Sequence, residues 1–153
     1  MTTAYRPEII AAARTAGIDA DLLEALVLTE SSGKADAFRF EPEFWDRYCA
    51  NNAAYSGQVP RRVASSYGLC QVMYPTAQAY GFSAQPEYLF LPNVNLEIGA
   101  RILRDLLDWA KQDVSKALQA YNGGKGNVGK PQPTAYAQRV LANLARVQGA
   151  QAV

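Results

Sequence analysis

The chain of 153 residues contains no histidine. That absence excludes Ser-His-Asp and Cys-His catalysis and removes the commonest zinc ligand. Cysteine is scarce: Cys49 and Cys70 are the only two, and they are not in a CxxC arrangement. Two thiols make a poor metal site. Beside apolar and aromatic neighbours, both are expected to be buried and free rather than joined in a disulfide. No apolar run reaches transmembrane length, and there is neither an internal repeat nor a low-complexity linker. The N-terminus, Met1-Thr2-Thr3-Ala4-Tyr5-Arg6-Pro7, lacks the basic and apolar regions of a signal peptide. The product is therefore expected to stay in the cytoplasm unless something else exports it. With a net charge of +1 there is no electrostatic footprint for nucleic acid. Acid/base chemistry is left to carboxylates, Lys and Tyr.

What is present suffices for one core. Apolar residues make up 49% of the chain, and the mean hydropathy of -0.17 fits a soluble globular protein. The expectation is a single domain over residues 1–153.

Helical periodicity dominates. Pro7 suits a first helical turn, and a short helix through Ile9, Ile10 and the alanines ends near Gly17. Asp19 can cap a second helix from Ala20 to Glu30, with Leu23, Leu26, Val27 and Glu30 on one face. Ser31-Ser32-Gly33 stops it. Phe38 to Pro42 is expected to be extended, Glu43 to Ala53 helical, and Tyr55 to Pro60 loop. Pro75 opens a helix through Ala79. Asn95 to Ala110 is the clearest amphipathic helix, with Leu96, Gly99, Ile102, Leu103, Leu106 and Leu107 sharing a face. A helix over Val114 to Tyr121 ends at Asn122-Gly123-Gly124. Lys125 to Pro133 reads as loop, and Thr134 as the cap of a last helix. The fold class is all-α, several short helices with little or no β.

Glu30 is anomalous because it stands at the end of an apolar face. A carboxyl desolvated there, at the negative end of a helix dipole, is pushed toward its neutral form. A neutral acid near pH 7 is what protonation of a glycosidic oxygen requires. Pattern alone favours the plainer reading, an edge residue reaching solvent as the helix ends. Gln71 lies in an apolar run, so it either finds a backbone partner or lines a polar cleft. Tyr121-Asn122-Gly123-Gly124 reads as a helix C-cap or as a cleft lining that orients a sugar. Tyr136 reads as core packing with a bonded hydroxyl.

The order of these segments is more specific than any one of them. Glu30-Ser31 comes first, then Gly68-Leu69-Cys70-Gln71-Val72-Met73 with Pro75-Thr76-Ala77. Ala117-Leu118-Gln119-Ala120-Tyr121-Asn122-Gly123-Gly124 follows, then Thr134-Ala135-Tyr136-Ala137-Gln138-Arg139-Val140. From about Asp19 to Leu144 the chain resembles the soluble lytic transglycosylase family, whose fold is lysozyme-like. The resemblance implies that Glu30 is the sole acid/base and that Ser31 helps orient it. Gln71 and Met73 would line sugar subsites, Tyr121 and Asn122 would sit close to the reacting sugar, and Tyr136 would hydrogen-bond near the Glu30 carboxyl. It implies action on peptidoglycan glycan strands, cutting between N-acetylmuramic acid and N-acetylglucosamine with formation of a 1,6-anhydro ring; the chain is expected to be a monomer. Metal, cofactor, nucleic acid and membrane insertion are not expected.

Two departures stand out. Cys70 replaces the family's usual Met, and the stretch from Ser32 to Tyr67 is longer than the common pattern. Within it, Arg39-Phe40-Glu41-Pro42-Glu43-Phe44 looks like segments of some phage muramidases. A hydrolase of the same bond, with Glu41, Glu43 or Asp46 as second carboxylate, is the competing enzyme. A non-catalytic glycan-binding or virion module is the competing non-enzyme. The lack of a signal peptide suggests a phage lysis protein released by a holin, or a virion part acting on the wall.

Overall fold

A computed structural model describes residues 3–152. Eight α-helices surround the core: α1 (Arg6–Ala16), α2 (Ala20–Ser31), α3 (Pro42–Phe44), α4 (Pro60–Val63), α5 (Tyr74–Ala79), α6 (Pro92–Trp109), α7 (Val114–Gly123) and α8 (Pro131–Gln151). A small antiparallel sheet, in the order β1 (Phe38–Phe40), β2 (Ser65–Tyr67) and β3 (Val72–Met73), lies to one side. Among the described residues no helix is long and apolar enough to cross a membrane.

α2 is the central helix. Leu22, Leu23, Glu24, Ala25, Leu26 and Val27 are all buried on it, so the helix is enclosed nearly all round. It packs on α8 and α1, α1 packs on α6, and α7 lies between α6 and α8. Asp19 caps it by accepting from the Asp21 amide at 2.9 Å. Glu24 is fully buried on this helix. It is matched by Arg6 Nη1 at 2.5 Å and the Thr3 amide at 2.6 Å, which satisfy a carboxylate that would otherwise be costly to enclose. The register of α8 on α2 is set by two side-chain bonds about two turns apart on α8. Tyr136 Oη donates to Glu30 Oε2, and Asn143 Nδ2 donates to Thr29 Oγ1 at 2.9 Å.

Several boundaries differ from the expected ones. α8 begins at Pro131, three residues before Thr134. Pro131 and Pro133 sit in the first turn, where a missing N–H costs nothing, and the Thr134 hydroxyl donates back to the Lys130 carbonyl at 2.8 Å rather than capping. α6 likewise starts at Pro92 instead of Asn95. The expected helix from Glu43 to Ala53 is broken. α3 passes into a π-helical turn at Trp45–Cys49, and Asn52 then accepts from the Ala54 amide to start a separate 3₁₀ turn at Ala53–Tyr55. Cys49 and Cys70 are both buried and free, as expected.

The sheet has two unlike faces. Phe38, Tyr67 and Val72 align across the strands, and Phe38 and Tyr67 pack edge-on at 5.2 Å, with Phe90 against both. The alternate row, Arg39 opposite Ser66 opposite Met73, faces away from that packing.

Candidate active site

Glu30 lies in the last turn of α2 and is only partly exposed. Its one hydrogen bond among the described residues is from Tyr136 Oη to Oε2, at 2.9 Å. Burial pushes its pKa up from 4.5 to about 7, against smaller downward pulls from the Tyr136 hydrogen bond and the Arg139 and Arg39 guanidinium groups. The phenols around it respond in kind: burial, with the Glu30 charge added, raises Tyr136 and Tyr121 well above the ordinary tyrosine value. The Cys70 thiol is raised for the same two reasons, so it stays protonated and unreactive.

The turn Gly68–Gln71 forms the floor beside this carboxyl. Gly68 has φ 70°, and a Cβ there would come within 2.7 Å of Asn95 Nδ2 and 2.8 Å of the Leu89 carbonyl, so only glycine fits. Asn95 is fully buried on α6. It receives the Cys70 amide at 2.7 Å and donates to the carbonyls of Tyr67 and Leu89 at 2.7 and 2.8 Å. One amide side chain thus fastens the turn to α6. Gly99, one helical turn on, lets α6 approach the turn directly, since a Cβ there would meet Cys70 Cβ and Sγ at 2.5 Å.

The residues singled out from the sequence take different places around this floor. Tyr121 Oη donates to the Cys70 carbonyl at 2.6 Å, tying the end of α7 to the turn. The Ser31 hydroxyl bonds to the carbonyls of Leu69 (2.8 Å) and Val27 (3.0 Å). It anchors the end of α2 to the same turn and makes no bond to Glu30. Gln71 has φ 51°. Its Nε2 donates to the Gly68 and Ala37 carbonyls at 2.9 and 3.2 Å, leaving its carbonyl oxygen as the free end. Met73 closes β3, and its sulfur accepts from Ser66 Oγ at 3.2 Å. Asn122 is exposed and lines a cavity of about 450 Å³ with Asn127, Lys130 and Gln132. A second cavity of about 390 Å³, between Ile18, Leu107, Val114 and Leu144, lies elsewhere, and Glu30 lines neither. Glu41 pairs with Arg39 at 3.2 Å, while Glu43 and Asp46 are exposed in the α3 region. No three Cys, Asp or Glu side chains among the described residues gather as metal ligands would.

Sequence reasoning missed Asn95 and Gly99 as site builders, and Arg39 and Arg139 as charges near Glu30. The signal for the first two was there: Asn95 and Gly99, four apart, interrupt an otherwise large-apolar stripe. Nothing local marks the arginines.

The architecture is matched by two solved structures. One is the lytic transglycosylase Slt of Pseudomonas aeruginosa, solved as an inactive mutant in which a glutamate is replaced by glutamine. It has a TM-score of 0.72 at 19% identity over 97% of this chain and 24% of that one. The other is the 70 kDa soluble lytic transglycosylase of Escherichia coli, with a TM-score of 0.74 at 18% identity over 97% of this chain and 24% of that one. The chain thus spans about a quarter of the length of either protein. These likenesses define a lysozyme-like fold of the Slt type. The model of the family described as Transglycosylase SLT domain matches residues 7–141, and the chain belongs to that family.

Proposed function

We propose that this chain, acting as one catalytic domain on peptidoglycan, is a lytic transglycosylase that cleaves the β-1,4 bond between N-acetylmuramic acid and N-acetylglucosamine. Glu30 is the sole acid/base, and the product carries a 1,6-anhydro ring. The observation that carries this reading is the state of Glu30: a partly enclosed carboxyl whose pKa is lifted to about 7, with a tyrosine hydroxyl as its one protein partner. Membership of the transglycosylase SLT domain family supports it.

Glu30 starts protonated and donates to the leaving oxygen as the oxocarbenium-like state develops. The N-acetyl oxygen of the muramic acid stabilises that centre, so no protein nucleophile is needed. Glu30 is then ionised and is the base the next step requires. It takes the proton of the C6 hydroxyl, and that oxygen closes on the anomeric carbon. Tyr136 steadies the charged carboxylate between the two steps by donating to it. Tyr121 and Ser31 act through the Gly68–Gln71 turn, and Gln71, Met73 and Asn122 are assigned to the sugar. A hydrolase would need a second ionised carboxylate to direct water. Of the three candidates, Glu41 is paired with Arg39, and Glu43 and Asp46 stand exposed in the α3 region.

Digestion of purified peptidoglycan followed by mass analysis tests this. Muropeptides lighter by one water than reducing-end products are expected, and Glu30→Gln should abolish their release while leaving the fold intact. Reducing ends would make the chain a muramidase. Unchanged release by Glu30→Gln would remove Glu30 from the chemistry.

A further inference from the structure

β1 has two unlike sides, and a different arginine lies along each. Phe38 and Phe40 share one side, where the Arg61 guanidinium lies over both rings at 5.8 and 5.4 Å. Arg39 belongs to the other side, in register with Ser66 and Met73. The pairing runs on past the strand, since the Glu41 amide donates to the Ala64 carbonyl at 2.8 Å. Glu41 therefore falls on the same side as Arg39, and its Oε1 meets Arg39 Nε at 3.2 Å. This side borders the catalytic carboxyl. Ala37, just before β1, accepts the Gly68 amide at 2.8 Å and Gln71 Nε2 at 3.2 Å, so the strand starts on the floor of the site. The Arg39 charge also acts on Glu30 through space. One guanidinium thus serves two carboxylates, the acid/base at a distance and Glu41 in contact. Glu43 and Asp46 lie beyond this row, in α3 and the π-helical turn.

We propose that Arg39 decides the product of the reaction: by holding Glu41 it keeps that carboxylate from directing water onto the anomeric carbon, which leaves the C6 hydroxyl as the nucleophile. This rests on the transglycosylase reading above. The two outcomes part once the leaving sugar has taken the proton of Glu30. In the anhydro branch the C6 oxygen bonds to the anomeric carbon, and its proton returns to Glu30. In the hydrolytic branch a water oxygen bonds to that carbon, and its proton passes to Glu41. Exchange with solvent then returns Glu41 to its ionised form and Glu30 to its neutral one, so water is the only added reactant. A carboxylate bonded to a guanidinium is a weaker base, and one of its oxygens is engaged. The restraint is light. The Arg39 side chain is 77% exposed and that of Glu41 35%, and exposed pairs are weak and screened by salt. Arg39 acts through Glu41 and is a positioning residue.

The test scores the ratio of reducing-end to anhydro muropeptides released from purified peptidoglycan. A ratio taken within one digest does not depend on how much of a variant is folded. Arg39→Gln is expected to raise it about fivefold, the scale of one screened ion pair. Arg39→Lys should hold the wild-type ratio. Adding Glu41→Gln to Arg39→Gln should restore that ratio, whereas adding Asp46→Asn should leave it raised. Salt should do to the wild type what the substitution does. Its ratio should climb between about 0.01 and 1 M salt, as the screening length falls from roughly 30 to 3 Å, and Arg39→Gln should not respond. No rise in Arg39→Gln, or a rise that persists when Glu41→Gln is added, would overturn the proposal. The two readings fail separately. Mainly reducing ends from the wild type, with a further Glu41-dependent rise in Arg39→Gln, would sink the transglycosylase reading and leave the role of Arg39 standing. Anhydro ends from the wild type and from Arg39→Gln alike would do the reverse.

Discussion

A carboxyl held near neutrality is costly to the fold in one direction of pH only. In the unfolded chain Glu30 releases its proton near 4.5, and in the folded chain near 7. Native stability is therefore full below about 4.5 and falls as pH rises through 7, because the unfolded state loses that proton first. Glu30→Gln should remove this fall and stabilise the protein at pH 8 by up to roughly 3 kcal/mol. Urea unfolding at pH 5 and pH 8 reads the difference, and an equal effect at both would contradict a raised pKa. The same titration governs turnover. Activity should decline as pH rises above about 7, and a lone acid/base that starts protonated predicts no acid limb from a second carboxylate. Tyr136→Phe removes a bond that favours the ionised form. Its basic limb should move to higher pH, while kcat falls because the carboxylate formed in the first step is less well held. A pH–rate profile that does not move would dissociate Tyr136 from Glu30.

At the scale of elements, the site depends on a four-residue turn wedged between β2 and α6. Asn95→Leu would leave the Cys70 amide and the Tyr67 and Leu89 carbonyls without their partner in a buried place. A loss of about 3 kcal/mol or more is expected, with activity falling as the turn loosens. Gly99→Ala would drive a methyl into Cys70 and should cost about 1–3 kcal/mol. Cys70→Ala should not rescue it, because Cys70 Cβ lies as close as the sulfur. Chemical denaturation of the two single variants and the double variant checks this, and full rescue would mean that α6 shifts instead.

For the whole molecule, the arrangement is a helical body closed around α2, with a small sheet offset to one side. Glu24 links the chain's start to that centre through Arg6 and the Thr3 amide. Glu24→Ala leaves Arg6 with Asp21 alone and should destabilise by roughly 3–5 kcal/mol, as expected for a broken buried pair. Thermal unfolding measures it, and a change near zero would show that the N-terminal helix docks without the pair. Charge is divided just as unevenly: acids end at Asp113, and the wall formed by α7 and α8 is purely cationic. A near-neutral total gave no hint of this, because it averages over a boundary that matters only once α8 packs beside Glu30.

The helices α1, α2, α5 and α7 follow from local signals: Pro in a first turn, Asp19 as a cap, Gly17 and Gly81 as stops, and a stripe of apolar residues between them. Those signals are legible because each acts within one or two turns of chain. The order of Glu30, Gly68 to Met73, Tyr121-Asn122 and Tyr136 likewise pointed to the family before any contact was known. The resemblance, not any local signal, implied that Tyr136 bonds near the Glu30 carboxyl; folding alone decided that its hydroxyl donates to Oε2 across 106 positions. It also decided that Ser31 bonds to the Gly68–Gln71 turn rather than to Glu30. Asn95 and Gly99 acquire their importance from a turn 25 or more residues away. Burial, charge proximity and hydrogen-bond partnership are properties of distance in space. Sequence periodicity reports only which face a residue occupies, not what will be packed against it.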